Sequence, residues 1–238
     1  MVDLGRPWML AIDTSAGGAA IALAPAGDDA GLAGVELSWP AARNQTPTLL
    51  AQVDHALRLC NLTSNEIGAV AVAVGPGSFN ALRVGMSTAK AFAFGLELPI
   101  FGVGTLDAAA FAFTGLGLPV RAFVDAGRDR VVCGDYRVTP GGFQPRGELL
   151  HRRRAELADG LLEPTILAGE LSDREALELA EHGTVVLPPP SARRRRASIL
   201  IDLAARRWLH GEADDLDRLE PIYVHSVPGH TAHGVSGT

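Results

Sequence analysis

The residues best suited to do chemistry lie at the ends of apolar runs. Gly75-Pro76-Gly77-Ser78 closes the run Ile67–Gly75 and precedes a segment of helical period that carries Lys90, the only lysine in the chain. Backbone N–H groups at a strand-to-helix turn attract anions, so this turn invites a phosphate reading. A Walker loop needs a lysine and a hydroxyl directly after its last glycine. Here Ser78-Phe79 follows Gly77, and Lys90 is turns away. The pattern G-x-G-x-x-G fails at Asn80. What remains is a tight connection with Ser78 as helix cap. Asp13-Thr14-Ser15 ends the first apolar run, and Asp125-Ala126-Gly127 ends a later one. Each aspartate is either a group that works on phosphate or a plain turn former.

Other chemistries fail on residues. Neither G-x-S-x-G nor H-E-x-x-H occurs, which removes the common hydrolase signatures. The seven histidines are scattered; His230 and His233 stand three apart in a glycine-rich tail with no acidic ligand beside them, so no metal site is expected. Cys60 and Cys133 make neither a disulfide framework nor a zinc site, as suits a reducing cytoplasm. Net charge is −6, which disfavours unaided binding to nucleic acid. Trp8–Ile12 and Ala19–Ala24 are leader-like in hydropathy, but Asp13 and the glycines interrupt them, and no apolar run approaches the ~20 residues a bilayer requires. The expectation is a cytoplasmic chain with no membrane contact.

These residues need a frame to position them. Hydrophobic residues make up 47% of the 238 and charged ones 20%, enough for one large domain or two small ones with a buried core. Trp8–Asp13, Ala19–Pro25 and Leu32–Trp39 read as strands joined by short turns, hence antiparallel. Leu49, Leu50, Val53, Leu57 and Cys60 recur at helical spacing, with Thr46 and Pro47 as a helix start. Ile67–Gly75 is a central parallel strand, because it is apolar throughout and lies between helices. A helix to about Gly95, a strand at Leu98–Gly104 and a helix at Thr105–Gly115, capped by Thr105, complete the series. Three meandering strands followed by crossovers give an α/β, ribonuclease-H-like (actin-like) fold with a mixed sheet covered by helices. Pro119–Val138 repeats the opening strand, aspartate turn, strand. The chain therefore divides into a first half at 1–117, a degenerate second half at 118–227 and a flexible tail at 228–238, with the Asp13 and Asp125 turns facing across a cleft. Helix-like segments follow at "RRRAELADGL", "DREALELAEHG" and "ARRRRASILIDLAARRWLHG", the last set off by Pro188-Pro189-Pro190; the run Arg193–Arg196 reads as a solvated helix start or a contact for an acidic partner, and "EPIYVHS" as a returning edge segment.

In actin-like ATPases an aspartate ending the first strand works with a hydroxyl-bearing hairpin beside the phosphates. Asp13, Thr14, Ser15 and Asp125 are the candidates for such a site. A complete ATP site also needs glycines to hold adenosine, and Ala168-Gly169-Glu170 is a thin candidate. The helix after Gly77 carries a small-residue stripe, Ala81, Gly85, Thr88 or Ala89, and Phe92, beside an apolar one, Leu82, Met86, Ala93 and Leu96. Two stripes need two surfaces: the sheet, and either the Leu49–Leu57 helix or another chain.

The stretches "MLAIDTS", "GPGSFNALRVGMSTAKAFAFGLELPIFGV", "TLDA" and "VDAGRDRVVCGDY" together resemble the TsaB (YeaZ) family, strongly over Met9 to about Val138. The resemblance implies an actin-like fold in two halves and a non-catalytic subunit. It would pair with a TsaD-like catalytic subunit and a small TsaE-like ATPase to place threonylcarbamoyl on the adenosine beside the anticodon of tRNA. It implies no cofactor on this chain, ATP and Mg on the partner complex, a homodimer in the partners' absence, and tRNA contact only through the complex. It also implies an interface around Gly77, Ser78, Phe79, Ala81, Leu82, Gly85, Ala89 and Phe92, with Leu50 and Leu57 beside it. Departures occur at Asn80, where the family has threonine, at Arg43-Asn44-Gln45, where it often has histidine, and after Asp125, where arginines usually follow. The competing reading is a stand-alone ATP-dependent phosphotransferase of the same fold.

Overall fold

The computed structural model describes residues 7–26, 34–40, 45–139 and 142–223, with the side chains of Gln45 and Thr46 excepted. Two five-stranded mixed sheets organise it. The first has the order β3-β2-β1-β4-β5, built from β1 (Trp8–Asp13), β2 (Gly18–Pro25), β3 (Val35–Pro40), β4 (Ile67–Gly75) and β5 (Ile100–Gly104). β1–β2 and β2–β3 are antiparallel; β1–β4 and β4–β5 are parallel. The second sheet has the order β10-β9-β6-β7-β8, from β6 (Val120–Gly127), β7 (Arg130–Thr139), β8 (Gly142–Arg153), β9 (Thr165–Ala168) and β10 (Val185–Val186). Numbered from its own first strand, that is the same order, so the repeat seen in the aspartate turns extends to the whole sheet.

Side-chain size along β4 sets how helices approach. Val70, Val72 and Val74 face α1 (Gln45–Leu59) and α2 (Phe79–Gly95), whereas Ala69, Ala71 and Ala73 face α5 (Ser198–Leu209). Because side chains alternate along a strand, the "AVAVAV" pattern gives one wide and one close-packed face. Met9, Ala11, Ala20 and Ala22 continue the close-packed face, onto which α5 lays Leu200, Ala204 and Trp208. The division at 117/118 therefore separates the sheets but not the helices. α5, placed by the sequence in the second half, covers the first sheet, and α3 (Thr105–Phe111) packs Leu106 and Ala110 against β6, β7 and β9 of the second. α4 (Asp173–Ala180) completes the second half's other face through Leu179.

Several boundaries differ from expectation. Thr105 is the first residue of α3 and Gly104 its cap. The helix anticipated at "RRRAELADGL" is the end of β8 followed by one short turn at Arg154–Glu156. Ser78 holds the cap position of α2 with extended backbone but makes no capping hydrogen bond through its side chain. Arg43, Asn44 and the tail with His225, His230 and His233 lie outside the described residues. Among the described residues, no helix is long and apolar enough to cross a membrane.

Candidate functional sites: a filled cleft and an exposed helix face

The glycine turn after β4 is spent inside the chain. Gly75 has φ +107°, and a Cβ there would run into the Ile222 carbonyl. A Cβ on Gly77 would strike the Ser15 carbonyl, and the first N–H available to an anion, that of Ser78, donates to that carbonyl at 2.9 Å. The turn is glycine-rich because two other segments press against it, and no phosphate is needed to explain it.

The same holds for the small stripe of α2. Thr14 Oγ1 donates to the Ala81 carbonyl at 2.6 Å, and a Cβ on Gly85 would collide with that hydroxyl. Ala81, Leu82, Gly85 and Ala89 are all buried within this chain. The expectation that Ala81, Leu82, Gly85 and Ala89 meet a second chain is corrected: the absence of a side chain at Gly85 admits Thr14 from the β1–β2 turn. Gly77 is likewise interior, and Leu57 is buried beneath α1. What α1 and α2 leave outside is Ser78, half-exposed Phe79 and Leu50, partly buried Phe92, and also Leu59 at 57% and Phe94 at 78% exposure. The sequence stripes had missed Phe94 and Leu59.

Asp13 and Asp125 do line one cleft between the sheets, with a volume of about 120 Å³. Several of its polar groups pair with each other, while Arg195 Nε is buried without a hydrogen bond among the described residues. Asp13, 3% exposed, accepts through Oδ1 from the Ser15 N–H at 2.9 Å and the Ser15 hydroxyl at 2.6 Å. Arg195 reaches in from the arginine run, donates to Ser15 Oγ at 2.8 Å, and sets Nε 3.9 Å from Asp13 Oδ2 and NH2 3.5 Å from Glu170 Oε1. At 3.9 Å the Asp13 contact is Coulombic rather than a hydrogen bond, but in a half-desolvated cleft such a charge pair is costly to break from one side. Asp125 has its own partner: Arg154 NH2 stands 3.5 Å from Oδ1, while NH1 pairs with Glu175 at 3.0 Å. Each aspartate thus faces a guanidinium where a phosphate site would need a metal and open N–H groups.

The thin adenosine candidate is covered too. A Cβ on Gly169 would come within 2.6 Å of the Phe123 ring, so that ring fills the space over the glycine. Among the described residues, no group of three or more His, Cys, Asp or Glu is placed to hold a metal ion. Burial raises the Cys133 thiol, so it is no ready nucleophile; burial, with Asp107 hydrogen-bonded to its hydroxyl, pushes the Tyr136 phenol well above its ordinary range. Arg193–Arg196 is not simply solvated: Arg195 is 11% exposed, Arg193 Nε donates to the Pro188 carbonyl, and Arg196 approaches Glu36 at 3.7 Å. The basic run was the available signal for these contacts, but it does not tell which arginine points inward.

Comparison with known proteins agrees with this layout. A family model described as TsaD, tRNA N6-adenosine threonylcarbamoyltransferase, matches residues 39–145. The chain is 28% identical over 197 residues to the tRNA threonylcarbamoyladenosine biosynthesis protein TsaB of Escherichia coli, covering 76% of this chain and 81% of that one. Against the Haemophilus influenzae protein of the same name it is 35% identical over 104 residues, 44% of this chain and 42% of that one. The solved structure of YeaZ from Pseudomonas aeruginosa superimposes with a TM-score of 0.72 at 24% identity, covering 91% of this chain and 99% of that one, and shares its fold.

Proposed function

We infer, for a chain that belongs to the TsaB (YeaZ) family, a part in tRNA threonylcarbamoyladenosine biosynthesis, played as a non-catalytic subunit. It pairs with a TsaD-like catalytic chain through the outer face of α1 and α2. The observation that carries this reading is the contrast in side-chain use: Asp13 is neutralised by Arg195 of its own chain, while Phe79, Phe94, Leu50 and Leu59 stand in solvent. Large apolar side chains left exposed favour association, since pairing removes their surface from water.

In this reading the chain needs no cofactor. ATP and Mg belong to the TsaD-like chain and a small TsaE-like ATPase, and the chain works in the cytoplasm. Without its partners the same face pairs two copies. With net charge −6, tRNA is reached through the complex. The phosphotransferase alternative needs an accessible Asp13 and an adenosine loop, and Arg195 and Phe123 stand in both places.

Light scattering on a mixture of this chain and the TsaD-like chain from the same cell tests the pairing. A 1:1 or 2:2 mass that is lost on replacing Phe79 and Phe94 by alanine supports it. Two components that never associate, each folded, contradict it.

A further inference from the structure

After α5 the chain returns as a strap, residues 212–223, along the open edge of the first sheet. Asp214 N donates to the Ile100 carbonyl at 2.9 Å, and its carboxylate receives Gly102 N–H at 2.6 Å and Arg207 NH2 at 2.7 Å. Leu216 and Leu219 pack onto the core beneath α2. Further on, Ile222 N donates to the Val74 carbonyl at 2.6 Å, and Tyr223 pairs by a parallel bridge with Gly77. Gly75 and Gly102 are the positions where added Cβ atoms would meet this strap, at Ile222 and at Leu219. The strap is therefore built into the sheet, and Tyr223 lies beside the first residue of α2.

The Tyr223 ring lies 4.6 Å from the Phe79 ring, and the Arg83 guanidinium lies 5.3 Å above Phe79 on its own helix. Phe79 is half exposed at the start of α2, where a lone phenylalanine would be free to turn. Contact with a ring and a cation restricts how it can turn, and pre-ordering a contact residue removes part of the entropy cost of binding. Ile222, 45% exposed, lies apart from that contact, in a pocket it lines with Pro76, Leu106, Tyr136 and Leu149.

We propose that Tyr223 is a positioning residue for partner binding: the strap fixes Phe79 so that it meets the TsaD-like chain ready-oriented. This rests on the pairing reading above, with the TsaD-like chain as the occupant. The sequence marks the segment as a returning edge but gives no sign of the ring contact, because Phe79 and Tyr223 are remote in sequence.

The test measures affinity of the full chain for the TsaD-like chain by titration calorimetry, with the melting temperature of each variant alongside. Phe79→Ala, Tyr223→Ala and Tyr223→Phe are compared. The proposal predicts that Tyr223→Ala weakens binding roughly tenfold with little change in melting, and that Tyr223→Phe, which keeps the ring, binds as the parent does. Should Tyr223→Ala melt early, amide exchange at residues 79–83 in Tyr223→Leu decides: faster exchange with weaker binding supports the strap's role, and parent-like binding overturns it. Phe79→Ala weakening binding while Tyr223→Ala leaves it unchanged overturns the strap's role and leaves the pairing reading standing. If Phe79→Ala, Phe94→Ala and Leu50→Ala all bind normally, the pairing reading itself falls, and this inference with it.

Discussion

The cleft and the outer side of α1 and α2 differ in whether their functional-looking residues are met from within the chain. In the cleft, Asp13, Ser15, Glu170 and Arg195 contact one another within one chain, with the Arg195 Nε left without a hydrogen bond among the described residues. On α1 and α2, Phe94, Leu50 and Leu59 stand exposed, and Phe79 is half exposed beside Tyr223. A fold whose strand ends are suited to phosphate chemistry has had its polar site neutralised from within, and its helical layer left available. The lesson is that charge in a cleft is not evidence of catalysis until its partners are counted.

Gly85→Leu is expected to give the largest effect, and it falls on stability. The side chain would displace Thr14 and break its hydrogen bond to Ala81, at about 3 kcal/mol from overpacking and a lost buried bond together. For a chain of this size that is a fall of roughly 6–12 °C in melting temperature by calorimetry. A near-parent melt with loss of partner binding would return Gly85 to the interface and dissolve the contrast drawn here.

Phe94→Ala is next, and it falls on association alone. A central, exposed aromatic at an interface is worth about 2 kcal/mol, so binding to the TsaD-like chain should weaken roughly thirtyfold with the melt unchanged. An equal loss of stability would mean that Phe94 serves the fold.

Asp13→Asn sharpens the cleft side. Arg195 would lose its charge partner but keep Ser15 and Glu170, for a cost of about 1–2 kcal/mol by denaturant titration. Arg195→Met combined with Asp13→Asn should cost less than the two single changes added, because the second removes what the first left unpaired. Strict additivity would show the two side chains to be independent.

The smallest effect concerns Glu175. Burial opposes its charge, but the Ser172 hydroxyl and N–H, with Arg154, outweigh burial and hold the carboxyl below its ordinary value. A depressed acid contributes stability above its unfolded pKa and loses it as pH falls through the folded one. Glu175→Gln should therefore cost about 1 kcal/mol at pH 7, as for a lost helix cap, and nothing once Glu175 is protonated in acid. Melting curves of both proteins across that range check it; a constant difference would remove the charge argument.

Much of the frame was legible because it is local. The "AVAVAV" run announced a strand buried on both faces, and the turn residues between the first three strands announced a meander. β8 was not legible: Gly142–Arg153 is mostly exposed, carries Pro145 and lacks a clean alternation, as an edge strand can. The exchange of α3 and α5 between sheets was out of reach, since an amphipathic helix states that it has an apolar face but not which sheet receives it. In the cleft, the aspartate turns were visible as short motifs with a period-two approach. Arg195 was hidden among four like residues, and Gly85 was misassigned because a small residue admits any close neighbour, whether Thr14 or a foreign helix.

The most direct measurement of the central claim is threonylcarbamoyladenosine formed on tRNA, read by mass spectrometry, in a reconstituted mixture of this chain with the TsaD-like and TsaE-like proteins. Two folded variants are compared, the cleft pair Asp13→Asn/Arg195→Met and the face pair Phe79→Ala/Phe94→Ala. The account predicts that the cleft variant supports modification near the parent level and the face variant supports little. Modification abolished by the cleft variant, with its pairing to the TsaD-like chain intact, would contradict it.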